Sequence, residues 1–232
     1  METSTFETQA TGKRHRLLVM LFVTVVITYL DRSNLSIAAT AIAHDLQLDP
    51  PHMGLVFSAF GWSYALLQIP GGMLVDRARP RLMMALIIGL WSIATILQGF
   101  ASAFALLLSL RVLLGVLEAP AYPTLNRIVT TWFPDSERAR AIAVYTSGQY
   151  VGLAFLTPAL VLTQQHFGWH GVFILTGLIG VAWALEGRST DHNCWPVSVS
   201  KALNRRSRVP PMKVRPPAVV IAPPRLRDPS PS

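Results

Sequence analysis

Four residues could do chemistry in a place where charge is expensive. Asp31 and Arg32 interrupt an apolar run that extends from Leu17 to Ala43. Arg111 and Glu118 stand inside a second run, Arg111-Val-Leu-Leu-Gly115-Val-Leu-Glu118-Ala-Pro120. A charge near the centre of a membrane helix costs about 2.5–3.5 kcal/mol even on the lenient insertion scale. Arg111 and Glu118 are seven residues apart, so on a helix they share one face about two turns apart. That face must look into protein or a watery cavity. Two readings follow: a polar path through a membrane protein, or a structural Arg–Glu pair that locks two helices. A carboxylate loses its charge readily when desolvated and holds it beside an arginine. An acid between those influences can take up and release a proton.

The elements that must position these residues are membrane helices. The chain has 232 residues, 51% of them hydrophobic and 14% charged, with a mean hydropathy of +0.41. That is too apolar for an ordinary soluble domain. The apolar runs are long and continuous rather than alternating, which predicts helices and not a barrel. Six spans are expected, at about 17–39, 53–75, 82–104, 105–129, 139–163 and 169–186. Each is long enough to cross about 30 Å of hydrocarbon at 1.5 Å per residue. A basic start and a short first run also fit a signal peptide, but five further spans favour an uncleaved first helix. The expected fold is an all-α six-helix bundle over 17–186. A polar segment 1–16 precedes it and a basic, disordered tail 187–232 follows.

Charge is unevenly placed. Residues 1–186 hold 11 Lys/Arg against 10 Asp/Glu, a net of +1, whereas 187–232 hold 9 against 2, a net of +7. The tail alone would carry any nucleic-acid reading, and none is adopted. It contains 9 of the 17 prolines and no run long enough to span, so it reads as disordered and able to meet anionic headgroups. Its abrupt composition also reads as an out-of-frame or truncated end. Basic residues flank spans at Lys13, Arg14 and Arg16, at Arg77, Arg79 and Arg81, at Arg127, Arg138 and Arg140, and at Arg188. The intervening loops, His44–His52, the turn near Ala103 and Gln164–Gly168, contain no Lys or Arg. By the positive-inside rule both termini are cytoplasmic.

Spans 1 and 4 alone carry interior charge, and they are the first helices of two triplets. That placement fits a 3+3 inverted repeat with both helices lining a central cavity. Inward charges could also serve a channel, but no filter-like loop is present. Gly148-Gln149-Tyr150-Val151-Gly152 has the spacing of a close helix contact. Pro70, Pro120 and Pro123 remove backbone donors and predict kinks. The lone cysteine, Cys194, excludes an internal disulfide and suggests no zinc site. His44, His52, His166 and His170 read as surface or interfacial. No nucleophile–base pair, metal cluster or phosphate loop appears, so neither an enzyme nor a metal site is expected.

Gly72-Met-Leu-Val-Asp76-Arg77, followed by Arg81, resembles the signature loop of the major facilitator superfamily. Tyr29-Leu-Asp31-Arg32-Ser-Asn34, Phe57-Ser-Ala-Phe60-Gly-Trp62-Ser-Tyr64, Gln68-Ile-Pro70-Gly-Gly72, Arg111…Glu118-Ala-Pro120 and Trp132-Phe-Pro134 are similar to its anion:cation symporter family, nearest the glucarate, galactarate and galactonate type. The resemblance covers about residues 14–186, the N-terminal half of that fold. It departs at Arg79, where the family usually has glycine. It implies proton-driven symport of an organic anion such as galactonate, glucarate or hexuronate across the bacterial inner membrane. The proton gradient drives it and no cofactor is needed. By the same resemblance Asp31 and Glu118 are proton-coupling acids, and Arg32 meets the substrate carboxylate. Arg111 partners Glu118, and Tyr29, Tyr64 and Gln149 bond sugar hydroxyls. Tyr29 and Tyr64 read equally well as packing aromatics, and Gln149 as an interhelical bond. Such a half needs a second bundle or a second copy to rock against. The alternative expectation is a truncated, non-transporting membrane remnant.

Overall fold

A computed structural model describes the backbone of residues 3–77 and 80–189, with side chains described over 14–76 and 83–186. The described chain is all helical. In order it forms α1 (Thr3–Asp45), α2 (Pro50–Arg77), α3 (Pro80–Gln98), α4 (Phe104–Glu118), α5 (Ala121–Trp132) and α6 (Asp135–Val151). A π-turn (Gly152–Leu156) and α7 (Thr157–Ser189) follow. Three stretches are long and apolar enough to cross a membrane: Arg14–Asp45, Phe104–Trp132 and Asp135–Glu186. The tail expected to be disordered lies outside the described residues from 190 onward.

Local chemistry explains the breaks. Asp49 accepts a hydrogen bond from the backbone N–H of His52 at 3.2 Å and so caps the start of α2. Pro70 does not end α2, which runs through it to Arg77. Pro120 does interrupt its span: α4 ends at Glu118 and α5 starts at Ala121, so the break falls two residues after the buried acid. The loop expected over Gln164–Gly168 is not a loop. Helix continues to Phe167, and Gly168 alone makes the turn at φ 67°, a backbone region glycine enters without steric cost. The predicted ends of spans 1 and 2 also shift outward, because α1 extends to Asp45 and α2 begins at Pro50.

α3 packs on α7, α2 on α4, and α1 on both α6 and α7. Two of the three apolar clusters among the described residues form most of the interior. One gathers Leu17, Leu21 and Val25 of α1 with Trp91 of α3 and Leu125 and Ile128 of α5. The other gathers Leu35, Ala38 and Ile42 of α1 with Leu107 of α4 and Trp169 and Phe173 of α7. Between them on α1 lie Thr28, Asp31, Arg32 and Asn34, about 21 Å along the helix axis from Leu17 to Asp31. The hydroxyls of Thr24, Thr28 and Ser33 donate to carbonyls one turn back, which satisfies them without water. The outer surface is apolar. Leu86, Leu90, Ile93 and Leu97 form an exposed stripe on α3, as expected of a face turned to hydrocarbon.

The G-x-x-x-G spacing does what its small residues permit. A Cβ at Gly148 would stand 2.8 Å from the Phe22 carbonyl oxygen, and one at Gly152 would stand 3.2 Å from that of Val26. These two glycines let α6 and the π-turn lie against the α1 backbone.

Candidate substrate and proton site

The four charges occupy one layer. Glu118 and Asp31 are 0% and 1% exposed, and Arg111 is 3% exposed. The Arg32 side chain keeps 22% of its surface open. Arg32 Nε donates to Glu118 Oε2 at 3.0 Å, and Nη2 stands 2.9 Å from the same oxygen without hydrogen-bond geometry. Glu118 Oε1 has no partner among the described residues. The arginine hydrogen-bonded to Glu118 is Arg32 of α1, while Arg111 of its own helix stays beside Glu118 as a charge neighbour.

Arg111 instead lies electrostatically between Glu118 and Asp31, with its guanidinium 5.7 Å from the Phe173 ring centre. Its Nε and Nη2 have no hydrogen-bond partner among the described residues. The layer therefore alternates base and acid, Arg32–Glu118–Arg111–Asp31, two of each. Alternation offsets part of the desolvation cost that isolated buried charges would incur.

Aromatic rings enclose Arg32. Its guanidinium carbon is 4.8 Å from the Tyr64 ring centre, 5.2 Å from Phe60 and 5.3 Å from Tyr29, distances at which a cation is attracted by ring faces. Phe60 and Tyr64 stack at 5.7 Å. Tyr122 at the start of α5 adds a further phenol, beside Tyr29, Tyr64 and Arg32. Gly115 makes this wall possible. A Cβ there would stand 2.0 Å from Ser63 Oγ and 2.7 Å from the Phe60 carbonyl oxygen, so glycine brings the ring-bearing turn of α2 against α4.

Asp31 turns elsewhere. It faces the Trp91 indole and the Thr176 hydroxyl, with Arg111 and Glu118 as its charged neighbours. Neither carboxylate oxygen completes a hydrogen bond. Asn34 Nδ2 donates to Thr176 Oγ1 at 2.6 Å, and Thr176 donates in turn to the Val172 carbonyl at 2.9 Å.

The remaining candidates are spread along the bundle. Gln149 is half-buried on α6 and hydrogen-bonds none of these groups among the described residues. At the end of α2, Arg127 of α5 donates to the Val75 carbonyl and stands 3.6 Å from Asp76. A Cβ at Gly72 would approach Pro123 at 3.8 Å. The side chains of Arg77 and Arg81 lie outside the described residues. Sequence reasoning missed Phe60 and Tyr122 as parts of the site, and Asn34, Trp91 and Thr176 as neighbours of Asp31. Tyr122 follows Glu118 by one turn and could have been found from that spacing. Trp91 and Thr176 sit in spans without charge and carried no such signal.

Comparison with known proteins agrees with this geometry. The family model for the Major Facilitator Superfamily matches residues 21–191. The D-galactonate transporter of Escherichia coli O6:H1 is 52% identical over 173 residues, covering 75% of this chain and 40% of that protein. The probable galactarate/D-glucarate transporter GudP of Bacillus subtilis is 42% identical over 181 residues, with the same coverages. The chain thus spans about 40% of the length of these relatives. Among solved structures, an inward-facing bacterial homologue of the human lysosomal transporter Spinster superposes with a TM-score of 0.68 at 28% identity. That match covers 78% of this chain and 43% of that one. These relatives are transporters and not enzymes. With its helical bundle, its apolar exterior and its layer of buried acids and arginines, this chain belongs to the Major Facilitator Superfamily.

Proposed function

We propose that this chain is a six-span bundle of a proton-coupled symporter for a sugar acid such as galactonate, glucarate or a hexuronate. The observation that carries this reading is the partly open Arg32, ringed by Tyr29, Phe60 and Tyr64 and bonded to a fully buried Glu118. A carboxylate entering from the open side would compete with Glu118 for the same guanidinium. Released from Arg32 inside a dry core, Glu118 is driven to take a proton. Anion arrival and proton uptake are thereby linked through one arginine. The competitor is Glu118 and not the adjacent Asp31, because Glu118 is the acid that holds Arg32. The phenols of Tyr29, Tyr64 and Tyr122 suit the hydroxyls of a polyol chain, with Gln149 as a further donor once the substrate bridges to α6. Asp31 is the second proton acceptor, and Arg111 balances both acids. Asp76, with Gly72, Arg77 and Arg81, belongs to the loop that governs conformational change.

The pairing of helices supports a 3+3 repeat. Exchanging the first three spans with the last three maps the α1–α6 contact onto the α4–α2 contact and α3–α7 onto itself. The loop charges support cytoplasmic termini in a bacterial inner membrane. Alternating access requires a second bundle, from a longer chain or a second copy.

The test is uptake of labelled D-galactonate, D-glucarate and D-glucuronate into vesicles containing the 232-residue chain, with an inward proton gradient. With a second copy supplying the second bundle, saturable uptake that collapses with the gradient is the expected result. Saturable uptake indifferent to the gradient would reject proton coupling. Specific uptake of a non-acidic sugar alone would reject the anion.

A further inference from the structure

Four polar side chains of α3 are buried with no evident purpose. Trp91 Nε1, Ser92 Oγ, Thr95 Oγ1 and Gln98 Oε1 have no hydrogen-bond partner among the described residues. All four residues are at most 1% exposed. Gln98 uses its amide N–H on its own helix, bonding the Ala94 carbonyl at 3.5 Å, which leaves its oxygen alone. Trp91, Thr95 and Gln98 are spaced i, i+4, i+7, so they form one stripe about 10 Å long on a single helix face. Its inner end is Trp91, which faces Asp31. Its outer end is Gln98, the last residue of α3, next to the turn at 99–103. Asn34 Oδ1 and both Asp31 oxygens, also unpartnered, lie on α1.

A buried polar group left alone costs about 1–3 kcal/mol, and a row of them marks positions where water is held. The row combines donors at Trp91, Ser92 and Thr95 with acceptors at Asp31, Asn34 and Gln98. About three waters at a hydrogen-bond spacing of about 2.8 Å cover the length of the stripe. We propose that Trp91, Thr95 and Gln98 hold a chain of water that carries protons between Asp31 and the α3–α4 turn. A hydronium entering at Gln98 passes its excess proton from water to water, and Asp31 carboxylate becomes the neutral acid while one water is left behind. No other group changes protonation. From α4, Arg111 and Glu118 face Asp31, and their charges set how readily it accepts. The groups contributed by α3 and α7, Trp91 and Thr176, do not titrate near neutrality. Ala101, in the turn after Gln98, packs in the apolar cluster of Leu107, Trp169 and Phe173. This deepens the proposed function, because it rests on Asp31 taking a proton.

The experiment is time-resolved infrared spectroscopy after a pH jump, on the 232-residue chain in lipid vesicles. The protonated-carboxyl band of Asp31 is assigned by its loss in Asp31→Asn. In the Thr95→Val, Gln98→Leu double variant we expect the same final band, reached about tenfold more slowly. Thr95→Ser, which keeps the hydroxyl, should retain the native rate and shows that slowing is not a packing defect. An unchanged rate in the double variant would overturn the track while leaving Asp31 as an acceptor. A chain with no titrating Asp31 band would overturn both the track and the assignment of Asp31.

Discussion

Asp31 and Arg32 are consecutive in sequence and about 100° apart around α1, and they lead to two different surroundings. Arg32 is partly open, set among three rings and bonded to its acid. Asp31 is closed off and surrounded by groups that do not complete bonds with it. In the proposed function the first arrangement is the one an anion approaches, since a charge in contact with solvent can exchange one partner for another. The second holds its acid away from solvent, where only something as small as a proton needs to reach it. A single residue step separates the two surroundings because a helix presents neighbouring residues to different partners, here α4 with α2 on one side and α3 with α7 on the other.

Breaking the open side should have the largest effect. Arg32→Gln leaves Glu118 as a buried, unpaired acid, and removing one partner of such a pair costs about 3–5 kcal/mol. Thermal unfolding in detergent should show this loss, and labelled galactonate should no longer bind. Adding Glu118→Gln to that variant should recover much of the stability and none of the binding, which separates folding from recognition.

The closed side should yield less. Asp31→Asn and Arg111→Leu are each expected to destabilise, and the double variant by less than their sum. The coupling energy should fall within about 0.5–3 kcal/mol. Unfolding midpoints of the four proteins in the cycle measure it. Purely additive effects would mean that Arg111 does not sense Asp31.

The wall between α2 and α4 offers a finer probe. Gly115→Ala places a methyl group against the Phe60 carbonyl, which is backbone and cannot rotate away. Overpacking of this kind costs about 1–3 kcal/mol. It should also weaken galactonate binding, because Phe60 and Tyr64 move with their turn. Gly89→Ala, with open space at its Cβ, should change neither.

The smallest effect is expected outside both regions. Asp49 caps α2, and the His52 ring and backbone N–H beside it hold its carboxyl below the usual carboxylate range. A depressed value contributes stability above the ordinary carboxylate range that is lost as pH falls through the folded value. Asp49→Ala should therefore lower the unfolding temperature slightly at neutral pH. That difference should vanish in acid, as a pH series of melts would show.

The charged layer was legible in the sequence because charge within apolar runs is rare and costly. Asp31, Arg32, Arg111 and Glu118 stood out without any partner being known. Their pairing was not legible. Which acid meets Arg32 depends on the rotation of α1 against α4, and backbone contacts remote from the charges set that rotation: Gly148 on Phe22, Gly152 on Val26 and Gly115 on Phe60. The turn at Gly168 was placed in the right region but given too many residues, since one positive-φ glycine does the work of a loop. The π-turn at Gly152–Leu156 left no pattern in the apolar period. The stripe on α3 was hidden for a different reason. Trp, Ser, Thr and Gln are ordinary in a membrane span, and only their burial without partners sets them apart.

The most direct test of two neighbouring charges serving two sites is equilibrium binding of labelled D-galactonate to the chain in vesicles, comparing Arg32→Gln with Asp31→Asn. The account predicts binding lost in the first and retained in the second. Loss in both, with both proteins folded, or retention in Arg32→Gln, would contradict it.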